Sequence, residues 1–133
     1  MRVLVVDDDL DSADSLADLL QLVMAPASVM VANDGAEGLA AATAPMACFD
    51  AIVTDIEMPG MDGATAAKEI KRALGDATPL IIAVTGHGDF AGHGEIERAF
   101  DHLLLKPVAI DVLVALLQAT TTSGPKRSSP GGE

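Results

Sequence analysis

Residues 3–9 read VLVVDDD: four apolar residues run straight into three consecutive aspartates, and a further acid follows at Asp11. Carboxylates about 4 Å apart repel by about 4 kcal/mol at a near-surface effective dielectric. A fold that gathers such groups at the end of a buried run must contain or recruit positive charge. Four more short β-rich runs, at 29–32, 51–54, 80–85 and 102–105, alternate with stretches of helical spacing. That alternation predicts a parallel sheet of five strands built from βαβ units.

The intervening stretches set expectations for the helices. The first shows Leu16, Leu19, Leu20 and Val23 on one face, with Asp11 or Ser12 opening it, and Asp9 and Asp11 read as cap and surface. The second is expected to start near Asn33 and Asp34 and bury Leu39, the third to start near Asp62 and bury Ile70 and Leu74. The last carries Ile110, Leu113 and Leu117. Between the fourth and fifth strands, GHGDFAGHGEIERAF (86–100) holds four glycines before Ile96. Glycine in a helix interior costs up to about 1 kcal/mol relative to alanine, so a short helix behind a mobile loop is expected there. Met24, Met30 and Met46 read as core fillers.

Length and composition bound the function. With 133 residues, half of them hydrophobic, the chain is expected to fold as one domain over 1–120; the Gly-, Pro- and Ser-rich 121–133 stretch reads as a disordered tail with no output domain. A net charge of −12, from 20 acidic against 8 basic residues, argues against direct binding to nucleic acid or an anionic membrane. Cys48 is the only cysteine, so no internal disulfide forms. No apolar run approaches the roughly 18 residues of a membrane span or forms a signal-peptide core, and a cytoplasmic location follows by default.

In open parallel sheets, ligands gather beyond the carboxyl ends of the strands, where the strand order reverses. The first strand ends in Asp7, Asp8 and Asp9, the third in Asp55, the fourth in Thr85 and Gly86, and the fifth in Lys106 and Pro107. Carboxylates, a hydroxyl and an ammonium are thus expected on one rim. Hard oxygen donors with an open side suit Mg²⁺, which keeps several waters and takes one or two carboxylates plus a phosphoryl oxygen. Metal and Lys106 together would neutralise the acids.

VLVVDDD, VTDIEMPGMDG, Thr85 closing an apolar strand, and LLLKP, in that order over roughly residues 2–118, resemble the receiver domain of two-component response regulators. The resemblance implies a flavodoxin-like (βα)5 three-layer sandwich with strand order 2-1-3-4-5. It also implies that Asp55 is the phosphoacceptor, taking a phosphoryl group from a phosphohistidine on a histidine kinase or histidine phosphotransfer protein. Asp8 and Asp55 would bind Mg²⁺ directly, Asp7 through water, and Glu57 through its backbone carbonyl. Lys106 and Thr85 would each engage a phosphoryl oxygen. Met58, Pro59 and Gly60 would form the tight turn after the acceptor, with Gly60 at positive φ, and Gly86 would leave space beside the phosphate. Such a domain phosphorylates and dephosphorylates only itself and is not a turnover enzyme.

The stretch AFDHLLLKPV is similar to receivers attached to hybrid histidine kinases, which favours a phosphorelay component signalling to a protein partner. Where receivers often place an aromatic, three residues before Lys106, this chain has Leu103; the 86–94 segment is therefore the expected site of reordering on phosphorylation. A metal-dependent aspartyl phosphatase acting on a small phosphate ester is the rival. Its D-x-D-x-[TV] signature belongs on the first strand, however, whereas here the acceptor pattern lies on the third. GHGDFA at 86–91 imitates a dinucleotide-binding turn but follows the wrong strand. His87, His93 and His102 fit no common zinc spacing.

Overall fold

The computed structural model describes residues 1–25, 27–86, 94 and 98–123. Five strands, β1 (Arg2–Val6), β2 (Ser28–Ala32), β3 (Ala51–Asp55), β4 (Leu80–Thr85) and β5 (His102–Leu105), form one parallel sheet in the order β2-β1-β3-β4-β5. Each expected strand is present to within one residue at either end. Four helices accompany them among the described residues: α1 (Leu10–Val23), α2 (Gly35–Thr43), α3 (Gly63–Leu74) and α4 (Ile110–Ser123). This is the doubly wound, flavodoxin-like arrangement.

Alternation along the strands divides the core into two layers. Val3, Val5, Ala51, Val53, Ile82 and Val84 face α1 and α4, meeting Ala13, Leu20, Leu113 and Leu117. Leu4, Val6, Ile52, Ile81 and Ala83 face α2 and α3, meeting Ala42, Ala64, Ala67 and Ile70. Because helices cover both faces, the central strands carry unbroken apolar runs, Val3–Val6, Ala51–Val53 and Leu80–Val84, and their period-two signal vanishes from the sequence. No helix among the described residues is long and apolar enough to cross a membrane.

Several local expectations change. The α1 cap is Asp9, whose carboxylate accepts from the amides of Asp11 and Ser12; those two residues lie in the first turn. The buried face is offset from the leucine stripe: Ala13, Ala17 and Leu20 are buried, whereas Leu19 is 38% and Val23 49% exposed. Small residues let the helix approach the sheet closely, which leaves the larger neighbours at the margin. Asp34 and Asp62 cap α2 and α3 as expected, and Gly60 has φ +77°. Met24 packs on the core, but Met30 points outward from edge strand β2 and Met46 sits in an exposed loop, so neither fills the interior. Helix α4 continues to Ser123, three residues into the stretch read as tail. Residues 87–93 and 95–97, where the helix and loop are expected and which include His87 and His93, lie outside the described residues, as do 124–133.

Candidate functional site: an acidic cluster at the carboxyl edge

Strand register assembles the site. Val6 pairs with Thr54 across β1 and β3, so the next residues, Asp7 and Asp55, emerge side by side where the ladder ends. Neighbouring strands lie about 4.8 Å apart, and one carboxylate oxygen from each of Asp7, Asp8 and Asp55 falls within 4.8 Å of the others. Thr85 pairs with Leu105, which brings Lys106 past the end of β5. Its Nζ stands 3.1 Å from Asp55 Oδ2 and 3.9 Å from Asp7 Oδ2. The Lys106 amide donates to the Thr85 carbonyl at 2.7 Å, and the Lys106–Pro107 peptide bond is cis.

Two backbone amides orient the carboxylates. Ile56 N–H donates to Asp55 Oδ1 at 2.8 Å, leaving Oδ2 to Lys106. Asp9 N–H donates to Asp7 Oδ1 at 2.9 Å. Neither donor carries a side-chain signal that sequence reading could detect. A hollow of 730 Å³ opens beside the cluster, floored by Val5, Val53 and Val84 and walled by Ser12, Leu16 and Val108.

The charges do not balance. Burial pushes the Asp7 carboxyl above the ordinary carboxylate value; the Asp9 amide and the Lys106 charge oppose this, and the charges of Asp55 and Asp8 add to the rise. Burial also works against the charge on Lys106, but its hydrogen bond to Asp55 and the fields of Asp55, Asp7 and Asp8 outweigh it and raise its pKa. The single ammonium thus faces three acids with a residual negative field. An all-oxygen donor set of this charge fits a hard divalent cation such as Mg²⁺.

Of the residues nominated from sequence, Asp7, Asp8, Asp55 and Lys106 converge. Thr85 closes β4 fully buried, on the strand face it shares with Ile81 and Ala83. The Glu57 side chain is exposed and lines a separate depression with Met58, Asp62 and Lys68. A side chain added at Gly86 would meet nothing within 4 Å, so open space does surround it. His102 is exposed on β5, away from the cluster.

Comparison with known proteins agrees with this geometry. The family model of the response regulator receiver domain matches residues 3–118. The transcriptional regulatory protein PrrA of Mycobacterium tuberculosis is 37% identical over 118 residues, covering 89% of this chain and 48% of PrrA. The chain thus spans about half the length of the curated relatives it matches. Among solved structures, a response regulator receiver domain protein from Clostridium thermocellum superposes with a TM-score of 0.80 at 26% identity, over 92% of this chain and 94% of that one. The response regulator TrrA of Thermotoga maritima gives 0.78 at 28%, over 90% and 97%. Fold, cluster and sequence together make this chain a member of the response regulator receiver domain family of two-component systems.

Proposed function

We propose that this receiver accepts, in the cytoplasm, a phosphoryl group on Asp55 from the phosphohistidine of a histidine kinase or histidine phosphotransfer protein, and passes the signal to a protein partner. The observation that carries the reading is the Asp55 carboxylate, held between the Ile56 amide and the Lys106 ammonium beside two further acids. In the transfer, an Asp55 oxygen attacks phosphorus while the phosphorus–nitrogen bond breaks and its electron pair leaves with the imidazole. Phosphoryl transfer depends mainly on positioning and on neutralising charge on the equatorial oxygens. Lys106 would exchange its Asp55 contact for a phosphoryl oxygen, and the Thr85 hydroxyl would turn toward another. Asp8 and Asp55 would hold Mg²⁺ directly, Asp7 through water, with the Glu57 carbonyl completing the protein ligands. When bound, the ion would supply Lewis-acid neutralisation of the transferring group. TrrA was solved in complex with Mg²⁺ and BeF, which supports the same chemistry here.

Incubation with a small phosphodonor and Mg²⁺ tests the proposal. Label that is lost in Asp55→Asn and cleaved by hydroxylamine is expected. Acid-stable label that survives Asp55→Asn would overturn it.

A further inference from the structure

Helix α2 lies outside the carboxylate cluster, yet its first residue touches the acceptor loop. A Cβ built on Gly35 would run into the Met61 carbonyl oxygen and stand 2.9 Å from the carbonyl carbon. Met61 belongs to the segment that joins Asp55 to α3. We propose that Gly35 is a positioning residue for the phosphoacceptor: its bare Cα seats the Met61 carbonyl and thereby fixes the 56–62 loop that aims Asp55. The proposal rests on Asp55 being the acceptor.

The helix side of this contact is tied down at its start and along its length. Asp34 Oδ1 accepts from the Glu37 amide at 2.7 Å, and Glu37 Oε1 accepts from the Asn33 amide at 2.7 Å, closing a reciprocal cap around Gly35. One turn further, a Cβ at Gly38 would stand 2.9 Å from a Val6 methyl, so α2 is already pressed against β1. An atom added at Gly35 must therefore displace Met61. Met61 is linked to Asp55 through the residues that follow it. Asp62 caps α3, the Gly63 amide donates to the Ile56 carbonyl at 2.8 Å, and a Cβ at Gly63 would strike the Asp55 carbonyl oxygen. The Ile56 amide in turn holds Asp55 Oδ1. Misplacing a reacting group by about 1 Å from afar costs about 10²-fold in rate.

The test compares Gly35→Ala with Ala42→Gly in the full chain. The second variant weakens the same helix without adding an atom near the loop. At a temperature where circular dichroism shows both folded, Gly35→Ala should label with acetyl phosphate and Mg²⁺ about tenfold or more slowly at saturating donor. Its Ile56 and Gly63 amide resonances should shift, while Ala42→Gly matches the wild type in both readouts. Labelling of Gly35→Ala within twofold of wild type, or an equal loss in Ala42→Gly, overturns the proposal. Should Gly35→Ala fail to fold, Met61→Gly keeps the carbonyl but frees the loop backbone and removes the Met61 Cβ beside Gly35: slower labelling is expected, and unchanged labelling overturns the idea. A wild-type chain that took no label would overturn the acceptor reading instead, and the Ile56 resonance comparison would still decide this one.

Discussion

Lys106 and Asp55, 51 residues apart in sequence, meet at 3.1 Å across the carboxyl edge of the sheet. The ammonium offsets part of the repulsion among three acids and occupies the space into which a cation would be drawn. Those two roles respond oppositely to its removal.

Lys106→Met should therefore tighten Mg²⁺ binding, because a competing positive charge about 3 to 4 Å from the donors is gone. Labelling of Asp55 should fall by about 10²- to 10³-fold, the usual cost of losing a charge that stabilises a transition state. The pair is partly exposed, so fold stability should change by only about 0–1 kcal/mol. Calorimetric Mg²⁺ titration beside labelling kinetics checks this, and a fall in both would assign Lys106 to metal-site geometry instead.

Asp7 makes stability depend on pH in a defined direction. Its folded pKa lies above its ordinary value of 3.8, so the native state binds the proton more tightly than the unfolded state does. Its contribution is fully present below the ordinary value and is lost as pH rises through the folded value. Asp7→Asn should accordingly stabilise the metal-free chain near neutral pH, by on the order of 1 kcal/mol, and the gain should vanish in acid. Lys106, with a raised pKa, contributes fully below 10.5 and loses its contribution as alkaline pH passes the folded value. Denaturant midpoints for wild type and Asp7→Asn across pH read the first effect; a gain that grew in acid would contradict it.

Helix α1 gives a stability contrast between adjacent leucines. Leu20 is wholly buried against the sheet and Leu19 is 38% exposed. Leu20→Ala should cost about 2–5 kcal/mol through lost burial and a residual cavity, whereas Leu19→Ala should stay within about 1 kcal/mol. Urea unfolding of both variants measures the difference, and equal losses would mean that the leucine stripe itself faces the core.

These cases show what a linear reading reaches. The strands and the convergence of Asp7, Asp8, Asp55 and Lys106 were legible because parallel strands end on one edge, and each of these residues lies at or just past the end of a β-rich run. The burial of Ala13 and Ala17 beside Leu20, in place of Leu19 and Val23, was not legible. Side-chain size suggests the wider leucine stripe, whereas close packing on a sheet selects small residues. For Thr85 the position at the strand end was legible, whereas its complete burial was not. Backbone donors such as the Ile56 amide leave no trace in residue identity at all.

Mg²⁺ should stabilise the fold through the cluster, since an ion that binds the folded chain alone adds RT ln(1 + [L]/Kd). At ten times Kd this amounts to about 1.4 kcal/mol. Asp8 is the exposed member of the three acids and is not paired with Lys106, so its carboxylate can be removed without breaking an internal contact of the cluster. Asp8→Ala should therefore leave the metal-free melting temperature nearly unchanged while abolishing most of the Mg²⁺-induced rise. The same substitution leaves the Asp55–Lys106 contact in place, so a lost response would reflect a missing ligand rather than a collapsed site. Thermal melts with Mg²⁺, with chelator, and at matched ionic strength separate specific binding from screening. An undiminished rise in Asp8→Ala would remove Asp8 from the ligand set and shift the burden of metal binding onto Asp7 and Asp55.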